Sequence, residues 1–373
     1  MTAAPQRRHP DPTATHGVRC ETFAVLPDGT SVERWTLTPD NAVDGVSASV
    51  LTLGAALHTW YTPDRAGRPA NIVLATDDMD ALLGPAGFFG AVVGRYANRI
   101  ADSRFRLDGV EHQLASTGYG VTLHGGPGGF AHQVWQAEPA PAADGAAAVR
   151  LSLHSPDGDQ GFPGAADIAV TYELAADGTL TLRFDAATDR PTVVNLTNHA
   201  YFNLGGEGSG QVLDHRLTLD ADHYTPVDTR MVPFGPHEPV AGTPFDFTTE
   251  RRIGDRIRDD HPQLKPALGY DHNWVLRDRP ADGSPGWAAL LSDPASGRTL
   301  EVLTTEPGIQ VYTANQFDHE VPGIGGSTYG PHSGIALETQ HHPDSPNQPD
   351  YPTTTLRPGE RFHSTTVFHP GIA

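Results

Sequence analysis

Apolar and polar residues alternate with a period of two along much of this chain. Ile168, Val170, Tyr172 and Leu174 take every second position, Asp177-Gly178 follows, and Leu180, Leu182 and Phe184 resume the alternation. Two such runs around a turn dipeptide predict an antiparallel hairpin with one buried face. Phe105 and Leu107 lead into Asp108-Gly109 and then Val110, the signal of a two-residue hairpin. Val149, Leu151 and Leu153 continue the pattern, as do Leu300 and Val302, and Ile309 and Val311 with Tyr312. Residues 47–61 are rich in strand formers and interrupted by Gly54. Helical signals are sparse: a turn or two over residues 77–83 and a short helix over 250–260. No repeat of fixed period is visible, so a propeller or solenoid is not expected. The pattern predicts an all-β fold, one large antiparallel β-sandwich over residues 19–373, preceded by a flexible leader, 1–18.

Composition narrows the partners. The 373 residues include 40 Gly and 33 Pro, spread along the chain as turns rather than gathered in a linker. With 25 Lys+Arg against 45 Asp+Glu, the formal net charge is −20. An acidic chain without a basic cluster argues against nucleic acid and anionic membrane. One cysteine, Cys20, excludes an internal disulfide framework and a multi-thiolate metal site. The N-terminus lacks the apolar core of a secretion signal, and no stretch is apolar enough to span a bilayer. A soluble, cytoplasmic protein is expected.

Candidate chemistry gathers in six stretches. VVNLTNHAYFNLGG, residues 193–206, reads as a strand end feeding a loop. His199 and Tyr201, two apart, are expected to share a face. Histidine exchanges protons near neutral pH, and the surrounding amides and hydroxyls suit a polyhydroxylated ligand. With 19 histidines in the chain, a hydrogen-bonded structural histidine is the competing reading. GRYANRI, residues 94–100, sets the Asn98 amide beside the Arg99 guanidinium, both able to fork onto vicinal hydroxyls. LHGG places His124 before two glycines, which permit close approach of a loop. YDHN carries Asp271, and EPGIQVYT carries Gln310 on a strand-like run. GIALETQHHPDSPN delivers Glu338 from the end of an apolar strand, the way a general base with an adjusted pKa is placed. Metal binding by Glu338, His341, His342 and Asp344 competes, but the helical His pair of zinc hydrolases is missing.

Taken together and in order, GRYANRI, LHGG, NLTNHAYFNLGG, YDHN, EPGIQVYT and GIALETQHHPDSPN resemble the aldose 1-epimerase family, from roughly Gly90 onward. The resemblance implies a β-supersandwich and interconversion of the α and β anomers of aldohexoses such as galactose and glucose. It implies that His199 is the general acid and Glu338 the general base, with Asn98, Arg99, His124, Tyr201, Asp271 and Gln310 holding sugar hydroxyls. Anomerisation moves two protons and breaks one ring bond, so neither metal nor other cofactor is required. The expected partner is a small monosaccharide, and the chain a monomer or homodimer. An anion beside His199 is expected to raise its pKa. Rival readings are a glycoside hydrolase using Asp271 and Glu338, a hexose-6-phosphate mutarotase, and a sugar-binding module without catalysis.

Overall fold

The computed structural model describes residues 17–84, 86–318 and 321–373. Residues 1–16 of the expected leader lie outside this description. Gly17 and Val18 already belong to a strand, Gly17–Val25, paired opposite Thr38 and Leu37.

Three antiparallel sheets make the frame. A five-stranded sheet takes Gly17–Val25, Ser31–Thr38, Ser47–Leu51, Ala56–Pro63 and Pro69–Asn71 in chain order. The strand-forming run over 47–61 is a hairpin, reversed at Gly54 and Ala55, both at positive φ. A nine-stranded sheet holds the predicted hairpin, Ala166–Leu174 with Leu180–Thr188. Val170 faces Phe184 and Tyr172 faces Leu182, all buried. Arg183 and Glu173 meet at 3.0 Å on the same pair of strands. The centre of this sheet is Phe362–Ile372, held between Leu180–Thr188 and Arg298–Thr304. A six-stranded sheet runs in the order Tyr201–Phe202, Ile335–Gln340, Gly308–Tyr312, Asp271–Leu276, Ala221–Tyr224, Glu238–Pro239.

One hydrophobic cluster joins all three sheets. It takes Trp35, Val50 and Trp60 from the first, Val170, Phe184 and Phe368 from the second, and Trp274, Ile309, Val311 and Leu337 from the third. Each fully buried aliphatic or aromatic side chain contributes about 1.5–3 kcal/mol. Asp108-Gly109 turns Arg104–Leu107 into Val110–Gln113 as expected, both turn residues at positive φ. The helix expected near 77–83 is Met79–Leu82, capped by the Asp78 side chain.

The helix expected over 250–260 does not form. Arg251–Arg252 pairs with Arg216 and Leu217, and Ile253–Asp255 is a single 3-10 turn. Ile253 and Ile257 are both buried without a helix to join them. Gly254 packs so closely on Leu213 that a Cβ would stand 2.9 Å from its carbonyl oxygen. A sheet pairing and a close approach outweigh weak helix propensity there.

Candidate active site

Alternation in the six-stranded sheet sends one set of side chains into the core and the other to the site. Trp274, Ile309, Val311 and Leu337 point inward. The opposite face carries Asp271, Gln310 and Glu338 on three adjacent strands, with Gln310 directly opposite Glu338. Tyr201, on the sheet edge, lies opposite Ala336.

The 193–206 stretch is a crossing rather than one strand end. Thr192–Val193, Thr197–Asn198 and Tyr201–Phe202 are two-residue strands that pair with three different partners. His199 stands between the last two, its N–H bonded to the Ala91 carbonyl and its carbonyl accepting the Gly90 N–H. Its ring lies 4.9 Å from that of Tyr201, centroid to centroid, so the expected shared face is present.

His199 Nε2 is 3.6 Å from Glu338 Oε1, with the side chains only 5 % and 2 % exposed. His124 joins them: ligand atoms of His124, His199 and Glu338 lie within 4.8 Å of one another. The glycine loop and GRYANRI are one unit here. Leu123 pairs with Arg99, and the Asn98 N–H donates to His124 Nδ1 at 3.1 Å. That bond fixes the tautomer, so His124 carries its proton on Nε2. A metal-ligating histidine instead donates its second N–H and offers a lone pair. The trio therefore suits proton chemistry better than metal ligation at His124.

The other candidates gather at the same place. Arg99 Nη2 is 3.7 Å from Asp271 Oδ2, and Gln310 Nε2 donates to Asp271 Oδ1 at 2.6 Å. Asn98 is in the left-handed region, and its Oδ1 accepts the Arg99 N–H at 2.9 Å. One acceptor position of Oδ1 is thereby taken, which narrows the expected fork. Phe88, which sequence reasoning missed, stacks on His199 at 6.0 Å and packs on His124 at 5.0 Å. Its signal was an aromatic pair between two glycines, GFFG.

Two expectations need correction. The asparagines around His199 are scaffold. Asn195 bonds the backbone of Ala97 and His341, Asn198 that of Gly90, and Asn203 that of Gly210 and Ser333. Likewise His341 pairs with Glu306 at 2.6 Å, His342 with Asn273 at 3.0 Å, and Asp344 accepts the Ala101 N–H. Three of the four residues in the metal reading are thereby engaged away from Glu338.

The second correction is electrostatic. Burial drives His199 down to about 4, not up, and pushes Glu338 well above the ordinary carboxylate range, with Asp271 adding to the latter. Burial also takes His124 well below its usual value, helped by His199. Desolvation of two nearly inaccessible groups outweighs the attraction between their charged forms. In the free protein burial thus favours the neutral form of each group, protonated Glu338 and unprotonated His199.

Among the described residues no helix is long and apolar enough to cross a membrane. The sequence pattern described as Aldose 1-epimerase matches residues 36–369. Galactose mutarotase of Mus musculus is 40% identical over 352 residues, 94% of this chain and 98% of that protein. Aldose 1-epimerase of Escherichia coli (strain K12) is 39% identical over 351 residues, 93% of this chain and 98% of that one. The crystal structure of galactose 1-epimerase from Lactobacillus acidophilus NCFM superposes with a TM-score of 0.82 at 30% identity, covering 96% of this chain and 100% of that one. Fold, motif order and near full-length similarity agree: the chain belongs to the aldose 1-epimerase family.

Proposed function

We propose that this chain interconverts the α and β anomers of free aldohexoses, galactose and glucose among them, with Glu338 as general base and His199 as general acid. The observation that carries the reading is the buried pair itself, 3.6 Å apart, with Asp271 and Arg99 acting on Glu338 from beside it. The Glu338 carboxylate takes the proton of the C1 hydroxyl. The C1=O bond forms, the C1–O5 bond breaks, and O5 receives the proton of His199. Rotation about C1–C2 offers the other face of the aldehyde. O5 then adds back, its proton returns to His199, and Glu338 returns its own to O1. Either anomer leaves the pair in its starting state, so no further proton route is needed.

Because burial favours the neutral forms of both groups, sugar binding must help create the ionised pair. Hydroxyl groups that donate to the carboxylate favour its ionised form. Arg99, Asp271, Gln310, Asn98, His124 and Tyr201 serve to orient the ring, and the half-buried Arg99 is the strongest single donor among them.

Polarimetry on freshly dissolved α-D-galactose is the direct test. Acceleration that survives exhaustive chelation is expected; binding without acceleration would leave a sugar-binding module. A glycoside hydrolase needs a second free carboxyl, and both Asp271 oxygens are engaged, one by Gln310 and one beside Arg99. Aryl glycosides are expected to remain intact. Arg99 is paired with Asp271 and also acts on Glu338, leaving little positive charge for a phosphate dianion. Free galactose is expected to exceed galactose 6-phosphate in kcat/KM by at least about tenfold, ~1.4 kcal/mol. Equal rates would move the chain to the phosphate-specific relatives.

A further inference from the structure

We propose that Asp271 is a positioning residue for Glu338, acting through an amide: it pins Gln310 so that the Gln310 carbonyl oxygen, not its NH₂, becomes the acceptor for the Glu338 proton. Gln310 sits on the middle of three adjacent strands, directly opposite Asn273 on one side and Glu338 on the other. Its side chain therefore stands between Asp271 and Glu338. Residues opposed across antiparallel strands have Cβ atoms about 4.5–5.5 Å apart, within reach of such side chains.

The direction of the amide follows from what each group is able to do. An ionised carboxylate only accepts hydrogen bonds, so the end of Gln310 that meets Asp271 must be the NH₂. The bond is short, 2.6 Å, and the other Asp271 oxygen lies 3.7 Å from Arg99. Gln310 Oε1 is left buried and without a protein partner, and so is Glu338 Oε2 on the opposed residue. A proton on Glu338 Oε2 would give the opposed Gln310 carbonyl the donor that the protein otherwise does not supply. The arrangement thus favours a protonated Glu338 in the free protein, in the same direction as burial and the Asp271 charge.

Other charged or titratable groups around Glu338 are His199, His124, Arg99, Tyr201 and Tyr312. None of them fixes an amide. If Glu338 is the base, as proposed above, the pinned carbonyl raises its proton affinity and so its strength as a base.

Infrared difference spectroscopy of the sugar-free protein, titrated with pH, reads the carboxylic C=O band of Glu338 directly. Its absence in Glu338→Gln makes the assignment. Gln310→Met removes the acceptor while Asp271 remains, and is expected to lower the Glu338 midpoint by about one unit. In the Asp271→Asn background the amide is free to turn its NH₂ toward Glu338. There Gln310→Met removes a donor instead, so the shift is expected to vanish or reverse. The Asp271 charge acting alone gives a different pattern, with Gln310→Met equally effective in both backgrounds. That result, or no shift with Asp271 intact, overturns the proposal. Turnover does not enter the measurement, so failure of Glu338 as the catalytic base would show separately, as near wild-type polarimetric rates in Glu338→Gln.

Discussion

Glu338→Gln is expected to slow mutarotation by at least about a hundredfold in kcat, and His199→Asn by a similar factor, because each removes one half of a paired proton transfer. The two losses should not multiply. The proton must leave O1 as another reaches O5, so removing one partner forfeits most of what the other provides. Glu338→Gln keeps size and hydrogen-bonding shape, and calorimetry should still detect galactose binding. The pH profile adds a sharper demand. The active form carries one proton on the pair, so kcat/KM should be bell-shaped. Burial holds His199 near 4 and Glu338 well above its usual range. The acid limb therefore belongs to the imidazole, near pH 4, and the alkaline limb to the carboxyl, the reverse of their order in water. Residual activity should lose its alkaline limb in Glu338→Gln and its acid limb in His199→Asn. Loss of the acid limb in Glu338→Gln would mean that the carboxylate is ionised at rest, against this electrostatic picture. Unchanged turnover in that variant would require another base.

Gly125→Ala is expected to lower stability by about 3 kcal/mol or more, and the melting temperature by at least roughly 5 °C. Gly125 has φ +86, and a Cβ there would stand 1.9 Å from the Gly94 carbonyl oxygen and 2.6 Å from the Arg95 nitrogen. Neither is a side chain that is able to swing aside. The two motifs around His124 and Asn98 would be forced apart, so activity should fall with stability. Gly109→Ala is the control. It has φ +82 but nothing within 4 Å, so only the left-handed strain of about 1–2 kcal/mol applies. Equal melting temperatures for the two variants would show that the close approach is immaterial.

Much of this was legible in residue order. The alternation of Ile168 to Leu174 and Leu180 to Phe184 fixed a hairpin because burial on one face enforces period two. Glu338 was legible as an acid beside an apolar run, though it stands within Ile335–Gln340 rather than past its end. What was not legible lies in contacts between distant segments. That Asn195, Asn198 and Asn203 serve the backbone depends on chains from residues 90–97, 210, 333 and 341 arriving beside them. The downward displacement of His199 depends on how completely the fold covers it, which no local pattern records. His124 illustrates both limits: its place in LHGG marked it, but its tautomer comes from an N–H twenty-six residues earlier.

The position of Phe362–Ile372 governs the order in which the molecule is able to assemble. This strand is the seam between Leu180–Thr188 on one side and Arg298–Thr304 on the other. Until it is in place, two part-sheets present long unpaired edges with apolar faces, the condition that invites intermolecular pairing. During synthesis, residues 166–188 wait for about 174 more before their neighbour, from Phe362, begins to emerge. Closure at such sequence distance makes folding slow and late. Chaperone dependence and aggregation on heating should therefore track the docking of this last strand more than the strength of the core it covers.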